Sequence, residues 1–272
     1  MTAKSILVVG ASSGIGLATA QLLARQGYRV YAGVRDPKAI GADAGLTPVQ
    51  LDVTNAEQIA AAIRSIGADG ELAALVNCAG IAVAGPLEFL STADVRRTFE
   101  VNVVGQLAVI QACLPLLRRG GGRIVQVTSG ARNFGMPFLG AYIASKAGLG
   151  VLVDTLRREL RPWNIRVAEV LPGFVLTPLW DKYRAPADAV QAGMPDFAAS
   201  QAESLAKGRA LFERMARIGK PPEAVAKVIL RAIESRCPKL RYVVGWDARA
   251  GLLAPHLVPT RILDWFVSRA LR

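Results

Sequence analysis

Ser5-Ile6-Leu7-Val8-Val9-Gly10-Ala11-Ser12-Ser13-Gly14-Ile15-Gly16 is the segment that sets the architecture. Ser5 to Val9 is a short apolar run, the pattern of a strand buried on both faces. A glycine-rich turn follows at once, and an amphipathic run from Leu17 to Gln26 comes next. Strand, tight turn and helix in that order make a cradle for a dinucleotide. Glycines let the backbone approach a pyrophosphate, and the helix N-terminus offers unpaired N–H groups and partial positive charge. The spacing is G-x-x-x-G-x-G rather than G-x-G-x-x-G. Gly10, Ser12, Ser13, Gly14, Ile15 and Gly16 are therefore the expected cofactor turn; the plainer alternative is a tight turn without a ligand.

The rest of the chain extends this unit. Arg29 to Gly33 reads as a second strand, with Val34 where an NAD-binding protein usually places an acid. Arg35 follows, and a cation there favours a 2′-phosphate, hence NADP(H) over NAD(H); the alternative is a surface arginine, and Asp36 adjoins it. Val49 to Val53 reads as a third strand. Asp52 at its end either contacts an adenine amino group or begins the turn to a helix capped by Thr54 or Asn55 and running through Ile59, Ile63 and Ile66. A fourth strand, Leu72 to Val76, exits through Asn77-Cys78-Ala79-Gly80. Ser91 to Arg119 has a long helical pattern, with Ser91 and Asp94 resembling a capping box. Asn102 lies inside it between two valines, and a buried amide needs hydrogen-bond partners. Gly120-Gly121-Gly122 ends the helix, Arg123 to Thr128 is a fifth strand closing on Ser129, and Asn164 to Leu171 is a sixth, followed by Pro172-Gly173-Phe174-Val175-Leu176-Thr177. Such alternation predicts an α/β fold: a Rossmann-type doubly wound parallel sheet with helices on both faces, in a single domain over 1–272.

Tyr142-Ile143-Ala144-Ser145-Lys146 opens a helical run to about Arg161. Residues four apart share one helix face, so the Tyr142 phenol and the Lys146 ammonium are expected to enter one space. A free tyrosine titrates near about 10, and a fixed cation nearby is expected to lower it. A phenol so lowered exchanges a proton with an alcohol oxygen near neutral pH.

The alternation stops after Thr177. Pro178 to Gly219 is mostly helical in pattern, with Trp180, Met194, Phe197, Leu205, Leu211, Phe212 and Met215 as apolar residues. Placed after a strand's carboxyl end, residues 178–220 are expected to form a lid over the ligand crevice; the alternative is an extra packing layer. A helix from Ala224 to Ser235 and a last strand from Arg241 to Gly245 follow. The extension 247–272 carries an amphipathic helix: Ile262, Leu263, Trp265, Phe266, Val267 and Ala270 on one face, Arg261, Asp264, Arg269 and Arg272 on the other. Its own domain, a second subunit and a membrane surface are the three candidate partners.

Composition narrows the function classes. With 52% hydrophobic and 20% charged residues the chain can bury a large core, which argues against disorder. The net charge of +12 is not gathered into a basic run with interleaved aromatics, so a nucleic-acid partner is not expected; phosphates, acidic ligands or anionic lipid fit it. Cys78, Cys113 and Cys237 are scattered and odd in number, which suits a reduced, cytoplasmic setting. With His256 as the sole histidine, neither a His-based metal site nor a His-containing triad is expected. The opening residues read as a strand rather than a signal core, and no apolar run reaches bilayer-spanning length.

Gly10-x-x-x-Gly14-x-Gly16, Asn77-Cys78-Ala79-Gly80, Asn102, Ser129, Tyr142-x-x-x-Lys146 and Pro172-Gly173, in this order, resemble the short-chain dehydrogenase/reductase family over about residues 4 to 178. The resemblance implies a sheet of about seven parallel strands and a nicotinamide cofactor. It implies Tyr142 as catalytic acid/base, Lys146 as the residue that lowers its pKa and holds the nicotinamide ribose, Ser129 as hydrogen-bonding partner of the substrate oxygen, and Asn102 as anchor of a proton-relay water. Asp52, Val53, Asn77, Ala79, Gly80, Pro172, Gly173, Val175 and Thr177 are then expected cofactor contacts with Tyr142 and Lys146. Cys78 departs from the family's usual Asn. Val34-Arg35 looks like the NADP-preferring pattern. Gly85-Pro86-Leu87-Glu88 and the tail resemble bacterial relatives of the hydroxysteroid and retinol dehydrogenases, which act on bulky apolar alcohols and ketones. The expected activity is NADP(H)-dependent interconversion of an alcohol and a ketone or aldehyde by a homo-oligomer, dimer or tetramer. The alternatives are a 3-oxoacyl thioester reductase and a catalytically silent NADP-sensing protein.

Overall fold

The computed structural model describes residues 3–40, 45–179, 188 and 190–271. Seven strands, β1 (Ser5–Val9), β2 (Arg29–Val34), β3 (Leu46–Gln50), β4 (Ala74–Asn77), β5 (Arg123–Val127), β6 (Arg166–Pro172) and β7 (Arg241–Val244), form one sheet in the order β3-β2-β1-β4-β5-β6-β7. Every pairing is parallel. Strand alternation divides the core into two layers. Ile6, Val8, Val30 and Val125 face the side covered by α1 (Gly14–Arg25) and a later helix, Pro222–Glu234. Leu7, Val9, Leu75 and Ile124 face the side of α2 (Ala56–Ala68) and the long helices before and after β5.

The third strand starts earlier than expected, at Leu46 rather than Val49, and ends at Gln50. It is a sheet edge, where Pro48 is tolerated because no ladder N–H is needed there. The alternating Val49, Leu51 and Val53 reflect burial of the strand exit instead: Leu51 and Val53 are in the core, and Leu51 N–H still donates to Val34 O at 2.7 Å.

The expected long helix is interrupted. It comprises α3 (Thr92–Phe99), a π turn (Glu100–Val104) and α4 (Gly105–Gly120). Ser91 caps α3 by accepting Asp94 N–H at 3.0 Å. Asn55 caps α2 by accepting Gln58 N–H at 2.9 Å. Gly121 closes α4 in the left-handed region. Contrary to the sequence expectation, Thr92–Gly120 is by length and composition sufficient to cross a bilayer. Its α4 portion instead buries Val109, Ile110, Cys113, Leu116 and Leu117 in the domain core.

Beyond β5 come α5 (Gly140–Glu159), α6 (Ala199–Arg217), α7 (Pro222–Glu234), α8 (Trp246–Leu257) and α9 (Thr260–Leu271). Within the expected lid, α6 is described, whereas Trp180 lies outside the described residues, as does Arg272 of the tail. Helix α8 was not foreseen: Gly245 precedes it, Pro255 sits near its end, and alanines and Leu252 spread apolar character beyond the Trp246, Leu253 and Leu257 stripe.

Candidate active site

The sheet order reverses direction between β1 and β4, and the crevice at the carboxyl ends of these strands is where open α/β sheets take their ligands. Here the strand exits approach closely: a Cβ on Gly10, at φ +78°, would lie 2.7 Å from the Ala79 backbone. Gly16 is pressed against the Gly10 carbonyl, so a side chain there would force the turn away from α1. A cleft of about 600 Å3 opens at this point. Gly10, Ser12, Ser13, Gly14, Ile15, Gly16, Arg35, Asp52, Val53, Ala79, Gly80 and Thr177 all line it.

The lining matches what a phosphorylated dinucleotide needs. The N-terminus of α1 directs backbone N–H groups into the cleft, and Arg35 adds an exposed cation. Asp36 faces other business, accepting Lys38 N–H at 3.0 Å as the cap of a 3-10 turn. Asp52 accepts the Thr54 N–H at 2.9 Å and hydroxyl at 2.8 Å. Burial opposes ionisation of Asp52, but these hydrogen bonds and the Arg35 charge together hold its carboxyl below the usual range.

Six expected cofactor contacts do not line this cleft: Tyr142 and Lys146, which belong to the adjoining cluster described below, and Asn77, Pro172, Gly173 and Val175. The Asn77 side chain is turned into the core, where it donates to Gln126 Oε1 at 3.1 Å and Gln106 O at 3.3 Å. Its Oδ1 is buried without a hydrogen-bond partner. Val175 is buried among the core residues, and Pro172 ends β6; neither lines the cleft. Gly173 is held at the edge of β7 by its N–H to Val244 O at 2.9 Å. The amide chain Asn77–Gln126–Gln106, continued by Gln106 Nε2 to Ala79 O at 2.9 Å, steadies the central strand exits where Cys78 supplies no amide.

Gly80 links the cleft to a second, buried polar cluster: a Cβ there would lie 3.3 Å from both Asn102 Oδ1 and Lys146 Nζ. The π turn presents the Asn102 amide inward, and the wider turn is the local device that aims it. Its Oδ1 accepts Ile81 N–H at 2.8 Å, and its Nδ2 donates to Ile81 O and Ser145 Oγ, both at 2.9 Å. Ser145 Oγ donates in turn to Tyr142 O at 2.6 Å, joining the turn to the first coil of α5. Ser129 leaves β5 beside Tyr142, and its Oγ accepts Ala131 N–H at 3.2 Å. A buried network braces this exit on both sides: Thr128 Oγ1 donates to Glu169 Oε1 at 2.7 Å, and Arg132 pairs with the same oxygen at 3.2 Å.

The expected acidified phenol is not what this arrangement gives. Burial raises the Tyr142 pKa above its ordinary 10.0, and a hydrogen bond with Ser129 only partly offsets it. Lys146 Nζ lies 6.0 Å from the ring centroid and donates, at 3.4 Å, to Val127 O. Burial also lowers the Lys146 ammonium from 10.5 to about 8. The reason is desolvation: both groups lose water that stabilised their charged forms, and burial outweighs the hydrogen bond from Ser129 at the phenol. Tyr142 is thus a protonated phenol at neutral pH. Around it pack Ala82, Ala84, Leu139 and Phe212, with Met136, Phe174 and Leu179 against them. Phe212 comes from α6, which therefore lies over this part of the site.

Three contributions were not visible in the sequence. Arg96 and Arg97 of α3 line the cleft with Arg35. Ser145 bridges Asn102 and Tyr142. Asp247, in the first turn of α8, lodges its carboxylate against Gly173 and Gly245 and accepts Phe174 N–H at 2.5 Å. Its place at the carboxyl end of the last strand was the one available signal.

Fold and cleft together define a Rossmann-type oxidoreductase. The chain belongs to the short-chain dehydrogenase family, whose model, described as short chain dehydrogenase, matches residues 4–188. It is 36% identical to a 3-amino-tetrahydro-pyrrolizinone reductase of Xenorhabdus hominickii, covering 98% of this chain and 96% of that protein. It is 32% identical to mouse retinol dehydrogenase 5, covering 97% and 89%. Among solved structures, a short-chain dehydrogenase from Burkholderia cenocepacia in complex with NADP superposes with a TM-score of 0.75 at 26% identity, over 97% of each chain.

Proposed function

We propose that this protein is an NADP(H)-dependent oxidoreductase that interconverts a bulky apolar alcohol and its ketone or aldehyde. The observation carrying the reading is the geometry: a buried Tyr142 phenol beside Ser129 and Lys146, walled by Met136, Leu139, Phe174 and Phe212. The nicotinamide supplies hydride chemistry when bound; Gly10 to Gly16, Asp52, Ala79, Gly80 and Thr177 would hold the dinucleotide, with Arg35 beside its 2′-phosphate. In the reductive direction Tyr142 passes its hydroxyl proton to the oxygen of the carbonyl. Ser129 holds that oxygen by a hydrogen bond and keeps it in line with the phenol. Lys146, on the same helix face as Tyr142 and next to Asn102 at Gly80, would steady the ribose and hold a proton in reserve for the phenolate. The apolar wall excludes water and accepts the hydrocarbon of a bulky substrate, with α6 as the covering segment. Relatives that are a reductase and a retinol dehydrogenase support this chemical class.

The test is Tyr142→Phe with NADPH and a panel of steroid, retinoid, β-ketoacyl and aromatic carbonyls. Loss of the proton donor is expected to reduce kcat/KM by at least about 100-fold while NADPH affinity stays near wild type. Turnover close to wild type in the variant refutes the assignment. Tight NADPH binding by the unaltered protein without turnover of any carbonyl would favour a nucleotide-sensing role instead.

A further inference from the structure

Helices α8 and α9 leave large apolar side chains in water. Trp246, Leu253 and Leu257 of α8 are 68%, 53% and 75% exposed, and Ile262, Trp265 and Phe266 of α9 are 46%, 56% and 59% exposed. The spacing within each helix places these residues along one stripe. Helix α9 has a second apolar stripe, Leu263, Val267 and Leu271, which is half-buried on the side turned to α6. Packing on its own domain therefore uses one face of α9 and leaves another free. Trp265 and Phe266 meet edge to face at 4.9 Å, and the Arg269 guanidinium lies over Trp265 at 5.6 Å.

The charges around the stripes are mainly positive. Arg249, Arg261 and Arg269 are exposed, with Asp264 as the exposed acid on these helices. Asp247 is drawn inward by Phe174 N–H.

We propose that the outer faces of α8 and α9 dock in the plane of an anionic lipid bilayer. Tryptophan and phenylalanine flanked by arginines form the set that settles at a membrane interface, and acidic headgroups attract the same cations. At 12 residues, α9 spans about 18 Å, too short to cross an apolar core of about 30 Å, so it lies along the surface. A second copy of the chain is the poorer occupant. Two-fold apposition would bring Arg249, Arg261 and Arg269 near their own images on chains that each carry +12. The same helix also walls a second cleft of about 540 Å3 through Ser268 and Leu271, opposite Leu87, Phe138 and Gly140. Gly140 begins α5, two residues before Tyr142, so the docking helix borders the substrate side of the site.

The proposal does not depend on catalysis and is tested by co-sedimentation with vesicles. Full-length protein is expected to pellet with phosphatidylcholine vesicles containing about one-third phosphatidylserine, not with phosphatidylcholine alone, and less as salt rises. Trp265→Ser/Phe266→Ser and, separately, Arg261→Gln/Arg269→Gln are expected to weaken binding at least about tenfold, with NADPH affinity and melting temperature unchanged. Should the aromatic pair fail to fold, Leu253→Ser/Leu257→Ser on α8 carries the same expectation. Failure of the unaltered protein to pellet with acidic vesicles overturns the proposal, as does equal binding to neutral ones or indifference to these substitutions. A concentration-dependent dimer that these substitutions abolish, without vesicle binding, assigns the surface to a second copy and also overturns it.

Discussion

Asp247→Ala tests how the carboxyl-terminal extension reaches the cofactor loop. In the native fold the carboxylate accepts Phe174 N–H at 2.5 Å, and Gly173 and Gly245 leave just enough room for it. A hydrogen bond to a charged acceptor contributes about 1.5–3 kcal/mol net. Asp247 and Phe174 are both half-buried, which places the loss near the lower bound, about 1.5 kcal/mol, or roughly tenfold in an equilibrium constant. The segment released is Pro172-Gly173-Phe174, which leads to Thr177 in the cleft and carries Phe174 against the Tyr142 cluster. The loss is therefore expected as weaker NADPH binding and a higher KM, with kcat less affected. NADPH fluorescence titration and steady-state kinetics measure it, and thermal unfolding separates loop loosening from global destabilisation. Asp247→Asn keeps an acceptor of the same shape and is expected to recover most of the affinity. An Asp247→Ala protein that binds NADPH within twofold of wild type refutes the clamp.

Arg35→Ala is expected to reduce kcat/KM with NADPH by about 10- to 100-fold and barely change it with NADH, with smaller losses for Arg96→Ala and Arg97→Ala, because all three line one cleft; an unchanged preference ratio would remove Arg35 from the phosphate site. For Lys146, burial lowers the pKa from 10.5 to about 8, so below about pH 8 the folded state carries the full cost of a buried ammonium. From there to 10.5 only the unfolded chain still holds the proton, and stability rises with pH. Lys146→Met is accordingly expected to be more stable than wild type at pH 7 by up to about 3 kcal/mol, an advantage that vanishes in strong alkali; urea titrations at both pH values would expose the opposite trend. A thiol reagent is expected to label exposed Cys237 rapidly in the native protein, half-buried Cys78, whose pKa desolvation pushes up to about 12, slowly, and buried Cys113, whose pKa is raised further, least; labelling of Cys113 as fast as Cys237 would contradict its burial.

Local pattern alone was sufficient for the alternation of strands and helices, the turn from Gly10 to Gly16, and the placement of Tyr142 and Lys146 on one helix face. Each of these depends on residues within a few positions of one another, where periodicity and steric rules act directly. The edge strand escaped because burial of Leu51 and Val53 mimics a strand's alternation. Only the tertiary structure decided that the Asn102 amide meets Ser145, that Arg96 and Arg97 join Arg35 at the cleft, and that Asp247 reaches Phe174 from 73 residues away. It also decided the protonation of Tyr142. Spacing places a cation near the phenol, but desolvation is a sum over every segment packed around it, and that sum exists only once the chain has folded.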